Sequence, residues 1–295
     1  MNPILLTLGE SIDKTFYGFD LAVFRFFGEM QNTFLTYVAK FFTTFGDEAF
    51  MIPIVVLGIV MCFFKKTRKY GFTLIFAVAV GTIVTNVIAK PVFLRIRPYN
   101  TLQGNADFWG WYQGVGMLSE SDYSFPSGHT TGATEMALAM FLCFKSDKKK
   151  IAYIFPAIAL CTAGSRIYLM VHYATDVIGG LIVGTVAAVA GYFLMKLVML
   201  LFTKTGADDK IDAAKLFKKL GEDKRKKLGT AAIIIAVAGI FLYAFIPSLS
   251  EGGEQTCAYE GEYNCNNAAR VDDEKYPPID GKEYCKIHWK QLMGE

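Results

Sequence analysis

Lys90 with Arg97-Pro98, then Pro126-Ser127-Gly128-His129, then Ser165-Arg166 with His172 and Asp176 form three short clusters, each beside a long apolar run. The residue types suit one chemistry. Lys90, Arg97 and Arg166 supply cations for an oxygen-rich anion such as a phosphate, and a planar guanidinium matches such oxygens two at a time. The chain has three histidines, and two of them, His129 and His172, fall in these clusters. One imidazole could attack phosphorus while the other protonates a leaving oxygen.

The spacings sharpen the roles. His172 and Asp176 are four residues apart, so on a helix they share a face. A carboxylate on one ring nitrogen fixes the tautomer and raises the basicity of the other. The same pair could also be a structural cap. Pro126-Ser127-Gly128-His129 stands directly before an apolar run, so Ser127 suits a helix N-cap and Gly128 allows close backbone approach. A helix start exposes N–H groups and a positive dipole end, which together bind phosphate. By itself, Ser-Gly-His is more often an ordinary cap. Basic residues at a membrane boundary often only snorkel, a reading that applies to Lys90 and Arg95 taken singly. Arg95 falls outside the pattern of the clusters and is expected to be a surface or headgroup contact.

The elements that must position these residues are membrane spans. The chain is 53% apolar and 19% charged, with positive mean hydropathy. That fits a polytopic membrane protein better than a soluble globule. Candidate spans are Met51–Phe64, Phe72–Ala89, Thr130–Phe144, Ile151–Met170, Val177–Phe202 and Thr230–Ile246, several needing flanking polar residues to reach full length. The aromatic stretch Phe19–Phe45, interrupted by Arg25, Glu29 and Lys40, reads as a tilted first span or an interfacial helix. No basic region, compact apolar core and small-residue cleavage site open the chain, so the first span is expected to direct insertion.

The net charge of +3 says little, but its distribution orients the chain. Lys65-Lys66-Arg68-Lys69, Lys145 with Lys148-Lys149-Lys150, and the stretch Lys204 to Lys227 are basic connections, which the positive-inside rule places in the cytoplasm. Pro91–Ser127 and Ser165–Asp176, which carry the three clusters, then share the opposite face. Gly179-Gly180, Gly184 and Gly191 read as packing positions between helices. Trp109, Trp111 and Tyr112 read as an interfacial aromatic anchor. Asp107, Glu120 and Asp122 read as ordinary loop acids. Thr203–Leu228 reads as a basic interfacial helix, with Ile211, Leu216, Phe217 and Leu220 on one face, or as a solvated linker.

Lys-x6-Arg-Pro, Pro-Ser-Gly-His and Ser-Arg-x5-His-x3-Asp in this order resemble the tripartite signature of the type 2 phosphatidic acid phosphatase superfamily, with no departure at any signature position. The resemblance covers roughly residues 15–202. It implies an all-α, polytopic transmembrane helical bundle, with a six-helix core of that family at 1–202. A basic linker at 203–229, one extra span at 230–247 and a Cys/His tail at 248–295 would follow. It also implies a metal-independent site with no catalytic cofactor: His172 as nucleophile through a phosphohistidine, Asp176 orienting it, and His129 as acid and then base. Lys90, Arg97, Ser127, Gly128 and Arg166 would hold the phosphoryl oxygens. The implied partners are a lipid phosphate and the membrane, with no nucleic acid. The implied location is the cell membrane, with the site on the extracytoplasmic side.

Three substrates compete: undecaprenyl diphosphate, favoured by an outward-facing site, phosphatidylglycerophosphate and phosphatidate. Phosphotransfer to an alcohol is a second class. A non-enzymatic lipid-binding or transport role is a third, disfavoured because binding needs cations but no His–Asp pair.

Cys62, Cys143 and Cys161 lie in apolar runs and read as inert core thiols. Cys257, Cys265, Cys285 and His288 lie in the polar tail and could supply four ligands to a structural zinc. A disulfide with one spare thiol is the alternative, favoured by an extracytoplasmic location.

Overall fold

The computed structural model describes residues 7–217, 221–249, 256–259, 265–270 and 275–294. Among them the chain is helical, apart from two isolated β-bridges in the tail, Thr256 with Ala268 and Ile279 with Lys282. The order is α1 (Leu8–Glu29), α2 (Thr33–Thr43), α3 (Glu48–Cys62), α4 (Arg68–Thr82), α5 (Lys90–Phe93), α6 (Pro98–Thr101), α7 (Ala106–Gly114) and α8 (Gly128–Ser146). Then follow α9 (Ile154–Tyr168), α10 (Ala174–Thr205), α11 (Ala207–Lys210), α12 (Glu222–Leu249) and α13 (Lys286–Met293).

Among the described residues, four segments are long and apolar enough to cross a bilayer: Arg68–Thr101, Lys150–Tyr168, Ala174–Thr205 and Glu222–Pro247. The pair Thr33–Gly46 and Glu48–Cys62, bent by 41° at its break, makes a fifth if counted as one span. The expected span Thr130–Phe144 forms α8 but is too polar to join them by composition. Its Thr130, Thr131, Thr134 and Glu135 are buried, because α8 packs among α4, α9 and α10 and turns them toward protein instead of lipid. The small residues of α10 make that packing close. A Cβ on Gly180 would lie 2.8 Å from the Ser127 carbonyl oxygen, and one on Gly184 would lie 2.8 Å from that of Thr131.

Phe19–Phe45 is not one element. The chain breaks after Glu29, and Asn32 caps α2 by accepting from Leu35 N at 2.9 Å. Gly9, near one end of α1, packs on the Arg95 backbone, and Gly28, near the other, packs on Trp111. Both contacts belong to the connection that bears the motifs, so α1 lies along that face. Trp111 therefore anchors α1. Tyr112 is 1% exposed and stacks on Tyr99 with ring centroids 5.2 Å apart, so it is core and not a lipid anchor.

The basic connections meet at the other end. Lys66 pairs with Glu222 at 2.7 Å, Arg68 donates to the Ile211 carbonyl, and Lys69 pairs with Asp147. The stretch Thr203–Leu228 is not a single helix: Gly206, at φ +67°, ends α10, short turns follow, and α12 starts at Glu222. Leu220 lies outside the described residues. Cys143 is buried as expected, whereas Cys161 is exposed on the bundle's outer surface.

Candidate active site

The three clusters converge at one end of the bundle. The α4 helix continues as a π-helical stretch, Ile83–Ala89, and then α5, which begins at Lys90. A π stretch re-aims the residues after it, and such stretches concentrate at functional sites. Lys90 is buried and pairs with Asp122. Ser127 is the N-cap of α8: its Oγ accepts from Thr130 N at 3.4 Å, and its carbonyl accepts from Thr131 N at 2.9 Å. Gly128 and His129 form the first turn, where unpaired N–H groups point out of the helix. A Cβ on Gly128 would sit 3.6 Å from Lys90 Nζ, so the lysine reaches that helix start.

His172 lies in the connection from α9 to α10, just past Met170, whose φ is +58°. It is fully buried. Nδ1 is 3.3 Å from Asp176 Oδ2 and 3.4 Å from Ser124 Oγ, while Nε2 is 3.1 Å from Arg97 Nη1. A guanidinium only donates, so Nε2 presents its lone pair and Nδ1 carries the proton, which it donates to Asp176. Burial, then the Arg97 charge, pushes the His172 pKa down to about 3, against a partial counter-effect from Asp176. The imidazole is therefore neutral at ordinary pH, with its one Nε2 lone pair accepting from Arg97.

Asp176 is saturated. Oδ2 also accepts from Ser124 Oγ at 2.5 Å and Tyr173 N at 3.0 Å, and Oδ1 accepts from Arg95 Nη1 at 2.5 Å. Arg95 is thus no headgroup contact. It is 1% exposed, and its guanidinium bonds to Asp13 Oδ1 at 2.8 Å, Asp20 Oδ2 at 2.9 Å and Thr175 Oγ1 at 2.6 Å. It stacks on Tyr173, 3.8 Å from the ring centroid. Three carboxylates around one buried cation explain why it is drawn inward.

Glu120 and Asp122 are not ordinary loop acids either. Glu120 bridges Arg97 Nη2, at 2.9 Å, and Arg166 Nη2, and its Oε1 is 3.5 Å from His129 Nδ1. Asp122 spans Lys90 and Arg97 Nη2, at 2.5 Å from the latter. Burial alone would raise both carboxyls, but the surrounding cations win: Arg97 and Arg166 hold Glu120, and Lys90 and Arg97 hold Asp122, below the usual carboxylate range. These carboxylates occupy the donors expected to meet phosphoryl oxygens. Asp107 stands apart, exposed in the first turn of α7. On the other side of His129, Nε2 faces Asp47 Oδ2 at 3.8 Å.

A cavity of about 950 Å³ opens from this cluster. Lys90, Glu120, Asp122, Gly128 and His129 line its polar end, and Met51, Ile52, Val55, Val56 and Val78 line an apolar side formed by α3 and α4.

A family model described as the PAP2 superfamily matches residues 70–200. An undecaprenyl-diphosphatase from Sulfolobus acidocaldarius is 30% identical over 172 residues, 57% of this chain and 74% of that protein. Phosphatidylglycerophosphatase B from Bacillus subtilis is 31% identical over 175 residues, 57% of this chain and 76% of that protein. The chain belongs to the PAP2 superfamily. The crystal structure of a transmembrane PAP2 type phosphatidylglycerolphosphate phosphatase from Bacillus subtilis is similar, at TM-score 0.50 and 28% identity, over 70% of this chain and 92% of that one. The family match ends at residue 200, so α12 and the tail of this PAP2 chain lie beyond it.

In that tail, Cys257, Cys265, Cys285 and His288 are buried and bring their ligand atoms within 4.8 Å of one another. Cys257 Sγ and Cys285 Sγ are each 3.4 Å from His288 Nδ1. A tetrahedral zinc with ordinary bond lengths sets sulfur and nitrogen about 3.6 Å apart, so the donor set fits that ion.

Proposed function

We propose that this protein is an integral membrane phosphatase acting on a lipid diphosphate, with undecaprenyl diphosphate as its substrate. It works without a catalytic metal, through a phosphohistidine at His172. The observation that carries the reading is the fully buried His172, with Nδ1 held by Asp176 and Nε2 against Arg97, an arginine joined through Glu120 to Arg166 and His129 and through Asp122 to Lys90. A binding protein needs the cations alone. The names of the relatives support the lipid class, and the cavity's polar end and apolar flank suit a phosphorylated headgroup with the start of a chain.

The lipid's phosphoryl group enters the cradle of Lys90, Arg97, Arg166 and the N–H groups at the start of α8, displacing the Glu120 and Asp122 carboxylates. As Arg97 turns its Nη1 from Nε2 to a phosphoryl oxygen, the freed Nε2 lone pair of His172 forms the N–P bond and the P–O bond to the lipid-side oxygen breaks. Asp176 holds the Nδ1 proton and stabilises the cationic ring. His129 gives its proton to the departing oxygen. It then takes one from water, whose oxygen attacks phosphorus; the N–P bond breaks and inorganic phosphate leaves.

We count the core's six helices as α1, the bent α2–α3 pair, α4 with its continuation to α6, α8, α9 and α10. The linker, α12 as an added span, and the tail follow. The basic end faces the cytoplasm of a cell membrane and the site faces outward. The tail cluster holds a structural zinc, since one disulfide would use two thiols and give the converging imidazole no part.

The test is phosphate release by purified, zinc-replete protein from undecaprenyl diphosphate, phosphatidylglycerophosphate and phosphatidate side by side, repeated in EDTA to check that turnover itself needs no metal. Fastest release from the diphosphate supports the reading. Release confined to added alcohol acceptors would replace it with phosphotransfer.

A further inference from the structure

The tail is seated on the active site. Asn100, three residues after Arg97, accepts from Asn266 N at 2.8 Å through Oδ1 and donates through Nδ2 to Asn267 Oδ1 at 2.9 Å. Asn266 Nδ2 also donates to the Tyr99 carbonyl at 3.4 Å. Asn100 and Asn267 are both buried, which makes this amide pair a specific clasp. Asn267 faces both ways: its Nδ2 donates to Cys285 Sγ at 3.5 Å, and its own carbonyl accepts from Cys257 N at 2.9 Å. A sulfur that accepts this N–H fixes which face of the Asn267 amide meets Asn100. The Cys/His cluster is thereby coupled, through one side chain, to the segment that carries Arg97.

The next residues, Ala268, Ala269 and Arg270, line the catalytic cavity together with Glu120, Asp122, Lys90 and His129. Arg270 N donates to the Tyr284 carbonyl at 2.9 Å, one residue before Cys285, so the turn that bears Arg270 is tied to the cluster as well.

We propose that the tail is a metal-fastened cap on the active site, and that Arg270 selects substrates carrying a second anionic group beyond the phosphate that is attacked. This rests on the phosphatase reading. Lys90, Arg97 and Arg166 are already committed to the reacting phosphoryl group. The second phosphate of a diphosphate extends past that cradle to the cavity wall, where Arg270 adds a donor fork. Phosphatidate has no second phosphate and gains nothing there. Zinc holds Cys285 and His288 together, Asn267 transmits that geometry to Asn100, and the turn at 268–270 stays over the cavity.

The experiment measures kcat/KM for undecaprenyl diphosphate and for phosphatidate, with zinc content, on the full chain. Arg270→Ala is expected to lower the diphosphate-to-phosphatidate ratio on the order of tenfold, with Arg270→Lys retaining much of it. Cys285→Ser is expected to lose zinc and show the same lowered ratio. Asn267→Leu removes the clasp while leaving all four ligand side chains in place, losing only the N–H given to Cys285 Sγ, and is expected to keep zinc and still show the lowered ratio. An unchanged ratio in Arg270→Ala, or an equal fall on both lipids, overturns the selection. A wild-type ratio in zinc-free Cys285→Ser, or in Asn267→Leu, overturns the fastening. Wild-type protein that releases phosphate from neither lipid overturns the phosphatase reading as well, whereas release from both with unchanged ratios overturns this inference alone.

Discussion

Replacing Glu120 with glutamine is predicted to tighten binding of phosphate-like anions. Glu120 contacts Arg97 Nη2 and Arg166 Nη2, and an entering phosphoryl group must take those donors from it. A glutamine amide still accepts from each charged guanidinium, but a bond in which both groups are ionised exceeds one in which only the donor is, within the about 1.5–3 kcal/mol of hydrogen bonds to charged groups. Exchanging carboxylate for amide therefore weakens the resident acceptor by about 1 kcal/mol per contact before screening. The side chain is 25% exposed, so part of that is screened. A net gain of about 1–2 kcal/mol corresponds to roughly 5–30-fold in affinity. The assay is the inhibition constant of orthovanadate or inorganic phosphate against lipid phosphate hydrolysis. Because Arg97 and Arg166 keep the carboxyl well below its usual range, the wild-type competitor stays ionised, and the difference should persist from pH 5 to 8. An unchanged constant would refute the displacement argument. A weaker one would show that Glu120 organises the cradle instead of blocking it.

Arg95→Met should leave Asp13, Asp20 and Asp176 without their shared cation. The expected loss is about 3–5 kcal/mol, read as a lower thermal midpoint in detergent, together with lower turnover because Asp176 loses its anchor. His172 carries a pH signature. Burial and the Arg97 charge push its pKa down to about 3 in the folded protein, against about 6.5 for a free imidazole. The unfolded chain therefore binds a proton that the folded chain refuses. This group's stability is intact above about pH 6.5 and falls by about 1.4 kcal/mol per pH unit as pH drops toward 3. The acid-induced fall in midpoint should be smaller in His172→Gln than in wild type, and equal falls would refute the assignment. Cys285→Ala should lower the thermal midpoint of the tail and abolish zinc binding, yet leave EDTA-resistant phosphatidate hydrolysis dependent on His172. Full zinc retention in that variant would remove Cys285 from the ligand set.

The residues with local spacing were legible. His172 and Asp176 are four apart and meet at the start of α10, although His172 stands just before that helix and not on its face, and Ser127 caps the helix that His129 enters, so short-range spacing suffices to pair them. Arg95, Glu120, Asp122 and Ser124 were not legible, because their meaning lies in distant partners. Arg95 reaches Asp20 and Asp176, 75 and 81 positions away, and an arginine beside a span gives no local sign of the three carboxylates waiting for it, two of them buried. The α8 span was found by its apolar run, but its buried Glu135 and threonines required knowledge of its central place. The break between α1 and α2 turns on Asn32, one capping residue within an aromatic stretch. The Cys/His set of the tail was visible as residue types, while its seat on Asn100 depends on contacts more than 160 positions apart.

The central claim is a covalent phosphoryl group on His172. The direct measurement is to mix full-length protein in EDTA with undecaprenyl diphosphate labelled in its terminal phosphate, quench in alkali within milliseconds, and map the label. An acid-labile, alkali-stable phosphoryl group is expected on the peptide containing His172, absent in His172→Gln and accumulating in His129→Gln when the leaving group is too good to need an acid. Label on another residue, or EDTA-resistant turnover by His172→Gln at the wild-type rate, would contradict it.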